Sequence, residues 1–229
     1  MFKKVKSLLT ECRVKEVVLD FEKATWNAIK EVFPDVGIHG CAFHWAQAVY
    51  RRVQHLGLAN AYSKQPAVQS FIRKLMSLPY LPAAQINNAF TKLLPHIPAT
   101  GNELLLELTE YLNKNWISSS SRPPTTWSSF RRSIRTNNDV EAWHHSLNTR
   151  LLHNHPNMYI LISTLHKEAA TIPLQRKLIA EKKLYRQQKK STTIRQKTLQ
   201  ELWTKYDARD LTTYDFLDIY SMKCVGHLE

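Results

Sequence analysis

A chain of 229 residues, 43% of them hydrophobic, can bury a sizeable core in one large domain or two small ones, and no apolar run approaches the roughly twenty residues that span a bilayer. The formal charge of +13 points to an anionic partner, most simply nucleic acid. Three scattered cysteines, Cys12, Cys41 and Cys224, argue against a disulfide framework and fit a reducing compartment.

No secretory signal is read at the start, because Met1 to Lys6 carries charge with no apolar stretch after it. Phe2, Val5, Leu8, Leu9 and Cys12 have helical spacing, which predicts an amphipathic helix over 2–12. Val14 to Asp20 is short and β-branched and reads as a buried strand. Glu22 to Phe33 returns to helical spacing and Pro34 stops it. Val36 to His39 is a second strand candidate, and a helix then runs from Gly40 to about Leu56, punctuated by Gly57. In such an α/β opening, ligands gather at the carboxyl ends of strands, where Asp20 stands.

From Ala59 no strand is convincing. Pro66–Leu78, Ala83–Leu94 and Asn102–Trp116 read as amphipathic helices separated by prolines, and Ser118 to Pro124 as a polar connector. Helices are predicted over 138–152 and 158–170, with a turn at His155-Pro156, and a long basic helix past Pro173. The divisions are a partial α/β core over 1–58, a helical insertion over 59–117, a connector and return to the core over 118–172, and a basic helical tail over 173–229.

Several residue groups could carry chemistry. Asp20 precedes a helix, so its carboxylate could simply N-cap it. Asn138-x-x-Glu141 has the form of a capping box. Cys41 and His44 sit three apart at a helix start, where thiolate and imidazole could reach one structural Zn²⁺; zinc needs about two further ligands. Candidates are His144 or His145, and His153 or His155. The alternative is a buried Cys beside a hydrogen-bonded His. A nucleophilic Cys/His dyad lacks any accompanying oxyanion pattern.

Arg131, Arg132 and Arg135 could contact phosphate or line a solvated loop. About ten Lys or Arg against two acids lie between Leu174 and Lys205. Within that stretch Lys182, Lys183, Arg186, Lys189 and Lys190 could track a DNA backbone, act as a nuclear localisation signal, or belong to a soluble helix. Trp26, Trp45, Trp116, Trp127 and Trp143 are expected to be core or half-buried.

Gly40-Cys41-Ala42-Phe43-His44-Trp45-Ala46-Gln47 and Arg135-Thr136-Asn137-Asn138-Asp139-Val140-Glu141-Ala142-Trp143-His144 follow, in that order, a strand ending in Asp20-Phe21-Glu22-Lys23-Ala24. Over roughly residues 1–170 this layout resembles the transposases of the Mutator-like element (MULE) superfamily. The resemblance implies an RNase H-like α/β fold, here predominantly helical, with an all-helical insertion. It also implies two divalent ions, Mg²⁺ or Mn²⁺, held on an Asp-Asp-Glu triad. Asp20 matches the second Asp and Glu141 the Glu, so both are implied to be catalytic and metal-ligating.

Two-metal phosphoryl transfer needs hard oxygen ligands that activate the attacking oxygen and stabilise the leaving one. The family's first Asp lies on an earlier strand, yet no Asp precedes Asp20, and Glu11 and Glu16 fall on the wrong elements. The expectation is therefore an incomplete domain, a transposase fragment or domesticated remnant that does not cleave DNA alone. The alternative is a non-catalytic DNA- or protein-binding module. Expected partners are the DNA backbone, without sequence preference, and further copies of the chain in a homo-oligomer; no membrane is expected, and the expected location is nuclear.

Overall fold

The computed structural model describes residues 1–9, 11–151, 156–184 and 190–223. Helices dominate it, beside one two-stranded parallel sheet. The chain divides into two compact units, one of residues 1–137 with 195–229, the other of residues 138–194.

The first unit opens with α1 (Phe2–Leu8), β1 (Glu16–Leu19), α2 (Lys23–Val32), β2 (Gly37–Gly40) and α3 (Ala42–His55). The order matches the α-β-α-β-α expectation, although α1 stops four residues short of Cys12 and buries no residue. β1 and β2 pair in parallel with Val18 opposite His39 and Leu19 opposite Gly40. Val17 and Val18 suit the pleated surface because their branched side chains are already restricted. In α2 the stripe Trp26, Ile29 and Val32 is buried. In α3 the stripe is Ala42, Trp45, Val49 and Val53, the helical repeat of one inward face. Gly57 follows at φ +74°, a left-handed conformation that glycine adopts without a Cβ penalty.

The helices α4 (Ala59–Lys64), α5 (Pro66–Ser77), α6 (Ala83–Leu93) and α7 (Asn102–Leu112) follow, and α7 widens into a π turn over Asn113–Ile117. Pro66 takes the first turn of α5, where its missing N–H costs nothing. This helical stretch is not set apart from 1–58. Val68, Phe71, Ile72, Leu75, Ile86, Phe90, Leu105 and Leu108 share one core with Trp45, Val49 and Val53.

The expected tail also divides differently. α10 (Lys190–Asp207) and α11 (Thr213–Lys223) bury Leu199, Leu202, Trp203, Phe216, Leu217 and Tyr220 in that same core. The basic count along this stretch masked an apolar stripe on its other face.

α11 is clamped to α5 by a buried lysine. Lys74 donates to the Tyr214 hydroxyl at 3.0 Å and pairs with Asp218 at 2.6 Å. Burial alone would lower its pKa, but the bonds from Asp218 and Tyr214 outweigh it and hold the ammonium above its ordinary value. A lysine raised on folding stabilises below its unfolded pKa and loses that contribution as pH climbs through the folded one. Asp218→Asn is expected to cost about 1–3 kcal/mol at neutral pH, below a fully buried pair because Asp218 is partly exposed. Urea denaturation of both proteins should show the gap closing at strongly alkaline pH.

The second unit contains α8 (Asn138–Leu151) and α9 (Met158–Ala180). Asn157 caps α9 by accepting from the Tyr159 amide at 2.9 Å. Arg150 pairs with Glu168 between the two helices, and Leu147 and Leu151 are the buried side chains of α8. Two sequence expectations need correction. Trp143 is 41% exposed rather than packed. α9 does not end before Pro173 but runs through it, since a proline removes one N–H while the bonds on either side can persist. The boundary drawn at 172/173 therefore falls inside a helix.

Candidate functional site

The parallel register sets Asp20 and Cys41 side by side just past the strand ends, with the Cys41 amide donating to the Leu19 carbonyl at 2.8 Å. This is the sheet edge where α/β proteins collect polar side chains. Asp20 does not use its side chain to cap α2; the N-cap residue is Glu22, which makes no side-chain cap bond. Instead the Trp26 indole N–H donates to the Asp20 carbonyl at 2.6 Å and fixes the backbone there.

The Asp20 carboxylate meets His44 and Asn137 directly, and Cys41 joins the cluster through Asn137. His44, in the first turn of α3, places Nδ1 3.1 Å from Oδ1. The Asn137 amide donates to the same oxygen at 2.7 Å. The Asn137 carbonyl in turn accepts from Cys41 Sγ at 3.2 Å. The loop bearing Asn137 is anchored beside them because the Ala42 amide, at the start of α3, donates to the Arg135 carbonyl at 2.9 Å. Asn137 was legible only as part of the Asn-Asn-x-x-Glu run; nothing in its spacing assigned it to Asp20.

Cys41 is fully buried. Burial pushes its thiol pKa up and the nearby Asp20 carboxylate adds to the rise, while bonds from His44, Asn137 and Phe43 pull against it. A protonated thiol donating to Asn137 is the consistent state. Zinc ligation would require the thiolate and would break that bond. Among the described residues no three His, Cys, Asp or Glu side chains form a cage for a metal ion. His144 lies exposed on α8, and His153 and His155 are outside the described residues.

Glu141 occupies the first turn of α8 with Asp139, where acidic side chains favour the helix dipole, and is exposed. It belongs to the second unit, whereas Asp20, Cys41, His44 and Asn137 belong to the first.

Gly40 explains its own place in the motif. A Cβ there would overlap the Phe21 ring. That ring stacks 6.2 Å from Trp26 and meets Trp116 edge-on at 4.6 Å. Gly40→Ala must push Phe21 out of this contact and is expected to cost about 1–3 kcal/mol. Thermal unfolding followed by circular dichroism measures it, and an unchanged midpoint would contradict the packing.

The basic residues have partners within the first unit. Arg131 pairs with Asp207. Arg132 pairs with Glu16 at 2.9 Å and donates to the Ser128 carbonyl at 3.2 Å. Arg135 donates to the Arg132 carbonyl at 2.8 Å, with its guanidinium 5.7 Å from the Trp203 ring. These bonds brace the loop that carries Asn137. Lys182, Lys183 and Lys190 are exposed; Arg186 and Lys189 lie outside the described residues. No family model, curated protein or solved structure matches the chain.

Proposed function

We propose that this chain is a fragment or domesticated remnant of a MULE-type transposase catalytic domain, one that binds a divalent cation and nucleic-acid phosphate without cutting strands alone. The observation that carries the reading is the 2.7 Å bond from Asn137 to Asp20 across 117 residues of sequence. It joins the two stretches on which the resemblance rests, with Cys41 attached to the same amide. The two-stranded parallel sheet with an Asp at its carboxyl end would be the retained part of an RNase H-like sheet.

In this reading Asp20 offers the cation its second oxygen, Oδ2, since Oδ1 accepts the bond from Asn137. The role of Glu141 rests on the resemblance. A bound Mg²⁺ or Mn²⁺ would supply charge neutralisation at phosphate, and oxygen donors suit both ions. DNA contact would come from the exposed lysines, independently of sequence, in a nuclear setting.

The test uses the whole chain. Mn²⁺ affinity by calorimetry should fall by about tenfold or more in Asp20→Asn and in Glu141→Ala. Affinity for random duplex DNA should drop about 10³-fold or more between 50 and 200 mM salt. Supercoiled plasmid should stay uncut with Mn²⁺. Metal-dependent nicking that disappears in Glu141→Ala would make the chain an active nuclease. Mn²⁺ affinity indifferent to both substitutions would remove the cation site, leaving a DNA- or protein-binding module.

A further inference from the structure

α9 carries an apolar stripe that its own unit leaves uncovered. Met158, Ile162, Leu165, Ala169 and Ile172 succeed one another at spacings of four, three, four and three, and Ile179 lies seven beyond Ile172. Their large side chains are between 37% and 71% exposed, and α9 buries no residue. The side of α9 toward α8 is different: Glu168 pairs there with Arg150. An alternating four-three repeat is the seam of helix-on-helix packing, in which apolar side chains face a partner helix every 3.5 residues on average.

Charge narrows the partner. Between Met158 and Gln175 the fully charged side chains are Lys167 and Glu168, which cancel, in a chain whose formal charge is +13. A neutral apolar seam selects neither nucleic acid nor an acidic peptide. It can meet an identical seam without setting like charges against each other. The exposed stripe amounts to about 500 Å² per copy, already in the range of functional patches, and flanking side chains such as Tyr159 bring it near the roughly 800 Å² each partner gives to a specific interface. Pro173 follows Ile172 within the same continuous helix.

We infer that this α9 stripe is a self-association surface, covered by the same stripe of a second copy of the chain. The inference is independent of the transposase reading. Sedimentation equilibrium of the full chain should give a dimer at tens of micromolar. Ile162→Glu with Leu165→Glu should weaken it by about 100-fold or more, with helicity unchanged. Ile160→Glu, off the stripe, should leave the dimer intact. Leu165 is central to the seam, so Leu165→Cys in a Cys12→Ser, Cys224→Ser background should form an intermolecular disulfide on mild oxidation. A wild-type monomer at about 100 µM, a dimer that survives the paired glutamates, or an absent cross-link overturns the inference. The cross-link decides if the paired variant loses its helices.

Discussion

Trp45→Ala is expected to cost the first unit about 3–5 kcal/mol, a large share of the roughly 5–15 kcal/mol that holds a domain folded. Trp45 is completely buried one residue after His44. It stacks on Trp127 at 4.4 Å with ring planes 8° apart, and Trp116 meets it edge-on at 5.0 Å. Its indole N–H has no hydrogen-bond partner among the described residues. The loss in the alanine variant is therefore cavity and contact, with no bond to replace. Trp45→Phe keeps most of the contact area and relieves the unpartnered N–H, so it should cost about 1–2 kcal/mol. Equilibrium denaturation of the two variants separates these terms. Equal losses would mean that the indole nitrogen contributes after all.

The same aromatic cluster shows why parts of the fold were readable and parts were not. Val17 with Val18, and the spacing of Trp45, Val49 and Val53, are local signals, and β1 and α3 formed where those signals lay. What they pack against is not local. Trp127 reaches Trp45 from beyond the polar connector, with its indole N–H donating to the Arg122 carbonyl at 3.0 Å. No pattern around Trp127 announces that contact. α10 was read by its charge, although Leu199, Leu202 and Trp203 occupy its buried face. Net charge sums over all faces of a helix, so it conceals a stripe that only position can reveal.

The candidate site divides in the same way. Asp20 at a strand end and Cys41 with His44 at a helix start were visible, because each follows from its own segment. Pairing Asp20 with Asn137 was not, since it depends on the Arg135 carbonyl docking on the first amide of α3. Arg132 steadies that loop through Glu16, so a residue read as a phosphate contact has a structural partner. Trp143 misled for the opposite reason. Its hydrophobicity suggested packing, but the helix around it buries its apolar contacts at Leu147 and Leu151 instead.

Asn137→Asp should test the Asp20 pocket most sharply. The substitution exchanges a donor 2.7 Å from Asp20 Oδ1 for a second carboxylate oxygen. One hydrogen bond becomes a like-charge contact, at an expected cost of about 2–3 kcal/mol at neutral pH. The two acids would titrate as a pair, with one proton held above the usual carboxylate range. A carboxyl whose folded pKa is raised destabilises at pH above that value, so the deficit should shrink as acid supplies the shared proton. Mn²⁺ should shrink it too, because a cation that binds only the folded pair stabilises by mass action. Asn137→Ala separates the effects: it removes the bonds for about 1 kcal/mol and creates no charge pair. Its deficit should therefore ignore metal and change far less with pH than that of Asn137→Asp. Midpoints of urea denaturation, measured across pH and with and without Mn²⁺, give all the comparisons. If Asn137→Asp matches the wild type at neutral pH, the side chain does not rest on Asp20 in solution. If acid rescues it but Mn²⁺ does not, the carboxylates meet without room for an ion between them, and the cation reading of Asp20 fails while the hydrogen-bonded cluster stands.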